Sequence, residues 1–126
     1  MTETELDSKI AETMQTLRSD DLVGAIKKAW RNYSDDVKES ARKTKRKGEK
    51  LADAVEREME SSPCELYAYI MFDYSGDLRG WTIEHQQYWT GNSGPSSAIS
   101  LDPTIAYKDI EREIGNDLFE ALNVAD

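Results

Sequence analysis

Side-chain chemistry in a small protein often rests on cysteine or histidine, and this chain of 126 residues has one of each, Cys64 and His85. A nucleophilic pair needs the thiolate beside the imidazole. Cys64 precedes an apolar run at 66–72, and His85 sits in a later alternating run. A hairpin closed at Ser75-Gly76-Asp77 sets His85 opposite Tyr67 rather than Cys64. The expectation is a small buried thiol, a strand histidine and no catalytic residue. There is no CxxC, HxxH or HExxH spacing. Asp20-Asp21 and Asp35-Asp36 lack the spaced oxygens and the glycine of a calcium loop, and read as helix caps. No segment matches GxxxxGKS/T or GxGxxG, and Gly91-Asn92-Ser93-Gly94 reads as a turn. No metal and no cofactor is expected.

Two other constellations suit binding. Residues 37–50 carry seven bases against two acids, a net of +5 in a chain of net charge −9. On one helix, Arg42, Lys45, Arg46 and Lys50 share a face and Lys43 and Lys47 form the adjoining row. Such a stripe suits phosphates. No aromatic residue interleaves with it, so it offers no base stacking. The bland reading is a solvated face, or one paired with acidic residues in cis or in a dimer. The second constellation is aromatic: Tyr67, Tyr69, Tyr74, Trp81, Tyr88 and Trp89 lie close together in sequence. Tyrosine and tryptophan serve both cores and interface hot spots, and most of this cluster reads as core. Trp81, Gln86, Tyr88, Trp89 and Asn92 are the candidate protein-interface residues, with the loop 91–97 beside them. Residues 63–126 carry eleven acids against three bases, a net of −8. That charge suits a basic protein target or mimicry of nucleic-acid phosphates, and an ordinary acidic surface is the bland reading.

These residues must be positioned by helices at both ends of the chain and strands between them. Leu6, Ile10, Met14 and Leu17 form a helical stripe and predict a helix over about 3–18. Leu22, Ile26, Trp30 and Tyr33 predict a second helix, capped by Ser19-Asp20-Asp21 and completing a helical hairpin. Ser34-Asp35-Asp36 reads as the cap of a third helix. Its apolar positions are Val37 and Ala41, then Leu51, Val55 and Met59, and one continuous helix over 35–60 with a solvated middle is favoured over a break at Gly48. Pro63 closes this half. Residues 65–74 read as a central strand apolar on both faces, 79–90 as its hairpin partner, and 98–101 as a third strand. Asp102-Pro103 reads as the start of a last helix with Ile110, Ile114, Leu118 and Leu122 on its stripe, possible division at Gly115-Asn116 included.

The fold expected is a single α+β domain over 1–126. It has a helical half over 1–62, then a three-stranded antiparallel meander and a C-terminal helix over 63–126. A lone cysteine requires no oxidising compartment, the acidic start lacks the features of a signal peptide, and 66–72 is far short of the ~20 residues of a membrane span. A cytoplasmic location and no membrane partner are expected. The functional expectation is a non-catalytic acidic binding protein, of the inhibitor, immunity or anti-defence type, acting on a protein. The alternatives are a nucleic-acid-associated protein using Arg42, Lys43, Lys45, Arg46, Lys47 and Lys50, or a homo-oligomer assembled through helix 35–60.

Overall fold

A computed structural model describes residues 1–61, 66–85 and 94–125, without the side chains of residues 84 and 85. Four helices and three strands follow in the order α1 (Glu3–Ser19), α2 (Leu22–Thr44), α3 (Leu51–Ser61), β1 (Leu66–Phe72), β2 (Leu78–His85), β3 (Ser96–Ser100) and α4 (Tyr107–Ala121). The architecture is α+β, with an antiparallel sheet in the order β2-β1-β3.

Apolar spacing builds the core as the sequence implies. Leu6, Ile10, Met14 and Leu17 of α1 meet Ile110, Ile114 and Leu118 of α4, and Ala68, Ile70 and Phe72 of β1 pack into the same cluster with Leu22 and Ile26 from the first turns of α2. Thr2 caps α1, accepting from the Glu5 amide, and Asp21 caps α2, accepting from the Gly24 amide. Gly115 does not divide α4; a Cβ there would rest 3.6 Å from Ile10 Cδ1, so the residue marks where α1 and α4 pass closely.

Five local expectations need correction. No new helix starts at Ser34-Asp35-Asp36, which lie mid-way along α2. The reason is legible afterwards: Ile26, Trp30, Tyr33, Val37 and Ala41 continue one stripe without a phase change. Conversely, the helix over 35–60 is not continuous. It ends at Thr44, Gly48 adopts φ +82° in the connecting turn, and α3 returns antiparallel against α2. The six bases at 42–50 therefore do not form a helical stripe. The sheet is no meander either, because β3 pairs with β1 on the side away from β2. β1, apolar on both faces, takes the central place that buries it most. The hairpin register is one residue off expectation, His85 standing opposite Leu66. The turn closes between Asp73 and Asp77, two residues off the expected pairing, and the bulge that pairs Phe72 with Leu78 and Met71 with Gly80 restores one of them. Finally, Asp102 does not cap α4. Its carboxylate accepts from the amide and hydroxyl of Thr104 in a separate turn, and α4 starts five residues on, with Asp109 reaching back to the Ala106 amide.

The second half of α2 and all of α3 form an arm of their own. Val37, Ala41 and Ala54 are buried between these two helices but stand outside the main core cluster. At a rise of about 1.5 Å per residue, the 23 residues of α2 extend about 35 Å, more than the core beneath its first turns requires. Arg57 of α3 secures the arm by donating to Glu49 (2.7 Å) and to the Thr44 carbonyl (3.3 Å), and Thr44 donates to Glu58 (2.6 Å).

Candidate functional site

The arm carries one of the two charged features. Its turn, residues 45–50, and the end of α2 hold Arg42, Lys43, Lys45, Arg46, Lys47 and Lys50, all exposed. Arg42 pairs with Glu39 at 3.4 Å. Folding back at Gly48 gathers the bases at a tip instead of spreading them along a face. Glu49 lies inside the tip and faces Arg57, so it does not screen the exposed lysines.

That pair also gives the arm a pH dependence. The Arg57 guanidinium, followed by the Arg46 amide, holds the Glu49 carboxyl below the usual glutamate range. A carboxyl depressed in the fold contributes stability above its unfolded pKa, about 4.3, and that contribution is lost as pH falls through the folded value. Amide protection over 37–61 is expected to fall below about pH 4. The α4 amides at 110–118 should keep theirs over the same range. Glu49→Gln should remove that loss of protection below about pH 4; unchanged acid sensitivity would assign it to other carboxylates.

The second feature is a groove of about 480 Å³ between β3 and α4. Tyr67, Ala98 and Ser100 supply its sheet side, Asp102 and Thr104 its end, and Asp109, Arg112 and Glu113 its helical side. The fold assembles it from three separate stretches. Tyr67 stands opposite Ser100 in the β1–β3 register. Ile110 and Ile114, buried beneath α4, turn positions 109 and 113 outward along one rim. Asp109 is partly neutralised by Arg112 at 3.3 Å and also caps the helix. Hydrogen bonds from the Thr104 amide (2.8 Å) and hydroxyl (2.7 Å) hold the Asp102 carboxyl below its ordinary pKa. Three carboxylates and one guanidinium leave the groove at −2. Its described lining has no histidine, cysteine or lysine, and among the described residues no three metal-ligating side chains cluster.

Of the expected interface residues, Gln86, Tyr88, Trp89 and Asn92 lie outside the described residues, as does Cys64. Trp81 does not sit with the groove. It stands opposite Ile70 on the core side of the sheet, half-buried, and its indole N–H donates to Asp20 at 3.1 Å. Trp81 thus fastens β2 to the end of α1, and Lys9, midway along α1, holds the turn before β2 through Asp77 at 2.6 Å. The groove itself escaped the sequence because its residues come from β1, β3 and α4. The one available signal was the wide spacing of acids from Asp102 through Asp109 to Glu113.

No family model, curated protein or solved structure matches the chain. No helix among the described residues is long and apolar enough to cross a membrane.

Proposed function

We propose that this chain is a non-catalytic binding protein of the inhibitor or immunity type, and that it takes hold of a basic protein partner at the groove between β3 and α4. The observation that supports this reading is the groove's make-up: Asp102, Asp109 and Glu113 around a partly exposed Tyr67, on a domain of net charge −9. Opposite charge steers encounter and selects partners, and a tyrosine supplies contact area with little entropy to lose. The groove is fixed by the core beneath it, which limits the cost of ordering it on binding.

The test is capture from a lysate of the native source after nuclease treatment, comparing the native chain with the double variant Asp102→Asn, Glu113→Lys. Asparagine keeps an acceptor for Thr104, and Glu113 is exposed, so the variant is expected to fold while groove charge moves from −2 to +1. A basic protein retained by the native chain and bound about tenfold more weakly by the variant, about 1.4 kcal/mol, supports the reading. Equal retention by both chains contradicts it.

A second reading draws on the arm. Six exposed bases at the end of a helical hairpin suit the phosphates of a nucleic acid. Nuclease-sensitive capture, abolished when Lys43, Lys45, Arg46, Lys47 and Lys50 are changed to Gln, would favour it over the groove. Assembly of copies is a third reading: the helix over 35–60 is not continuous, but Leu51, Val55 and Met59 of α3 are only partly buried, and a strictly monomeric mass in light scattering would count against it.

A further inference from the structure

β3 is an edge strand, and its hydrogen bonding defines which side is free. The Phe72 amide donates to the Pro95 carbonyl (3.0 Å), and the Leu101 amide donates to the Leu66 carbonyl (3.4 Å). Hydrogen-bonded pairs alternate along an antiparallel ladder. Given the register Tyr67–Ser100 to Met71–Ser96, residues 97 and 99 turn their backbone groups toward β1. Ser96, Ala98 and Ser100 turn theirs away, are exposed, and find no further backbone partner among the described residues. The strand reads Ser-Ser-Ala-Ile-Ser, with no charge, no proline within it and no bulge. Those are the devices that normally block an edge. The opposite edge, β2, has a bulge and carries Arg79. The acidic groove runs along the unblocked edge, with Ala98, Ile99 and Ser100 in its lining.

We infer that β3 accepts a fourth strand: an extended, lysine- or arginine-bearing segment of a protein partner. This rests on the binding reading above and adds its mode. A polypeptide is the occupant because only another backbone offers alternating donors and acceptors at strand spacing. The segment is basic because Asp102, Asp109 and Glu113 outnumber Arg112 beside the edge. A second copy of this chain is disfavoured, since pairing β3 with β3 would bring two acidic grooves together.

The test uses a twelve-residue peptide alternating lysine and threonine, with a glutamate–threonine peptide as control, followed by amide chemical shifts and exchange of the full chain. The lysine peptide should shift and protect the amides of Ser96, Ala98 and Ser100, and the glutamate peptide should not. Ala98→Pro removes one outward donor and leaves the donors that face β1, a position where an edge tolerates proline. It should weaken binding at least tenfold at an unchanged unfolding midpoint. Should Ala98→Pro unfold the chain, the amide pattern of the native chain decides alone. Shifts confined to residues other than 96–113, equal binding of both peptides, or undiminished binding by folded Ala98→Pro overturns strand addition. Loss of strand addition with a basic protein still captured through Asp102 and Glu113 would leave the groove reading intact.

Discussion

Ile114→Ala is expected to lower the free energy of unfolding by about 2–5 kcal/mol, read from equilibrium denaturation at constant m-value. Ile114 is fully buried on α4, in the cluster that joins α4 to α1 and β1. The truncation removes buried methylenes and leaves a space that its neighbours cannot readily close. Phe72, Ile70 and Leu118 in the same cluster are fully buried, and their backbones are fixed by the ladder and by α4. Because a domain of this size has about 5–15 kcal/mol in hand, one such change removes a large part of its stability. A loss under about 1 kcal/mol would mean that α4 is not seated on the core as described.

Gly94→Ala is expected to cost about 1–3 kcal/mol and to loosen β3 from β1. A Cβ on Gly94 would run into the Phe72 carbonyl oxygen and stand 2.9 Å from Asp73 Cα. The obstacle is contact with backbone, which has no rotamer to escape into, and the same Phe72 residue donates its amide to the neighbouring Pro95 carbonyl. β3 has little in reserve, since the buried Ser97 hydroxyl has no hydrogen-bond partner among the described residues and Ile99 is the strand's one large buried apolar residue. The loss should appear as faster amide exchange at Ser97 and Ile99, which point to β1, ahead of exchange in α1 or α4. An alanine variant as stable as the native chain, with those two amides still protected, would show that the chain enters β3 differently.

Much of the fold is legible in the sequence because it depends on local periodicity. The steps of Leu6, Ile10, Met14 and Leu17 define α1, and the two apolar faces of 66–72 define a central strand. Failures arise where a strong local signal competes with a weaker continuous one. Ser34-Asp35-Asp36 looks like a cap, yet the stripe from Ile26 to Ala41 runs through it and packing decides. Gly48 looks tolerable in a helix, yet nothing apolar between Ala41 and Leu51 would reward a continuing helix, while folding back buries Ala54 against α2. Asp102-Pro103 has the right residues for a helix start, but Asp102 satisfies Thr104 instead. The candidate site is less legible still. Acidic charge in the second half of the chain is visible, but its concentration beside β3 depends on β3 pairing with β1 and on α4 packing against β3. No spacing in the sequence encodes that pairing. The basic cluster was visible as charge, and only its shape, a tip instead of a stripe, required the structure.

The central claim is that the acidic groove beside β3, and not the basic tip, receives the partner. Zero-length carbodiimide cross-linking in nuclease-treated native lysate tests this directly, because it joins a carboxylate to an amine only where the two touch. The account predicts cross-links from Asp102 or Glu113 to lysines of a basic partner. Cross-links only from lysines 43–50 to partner carboxylates, or none to any protein, would contradict it.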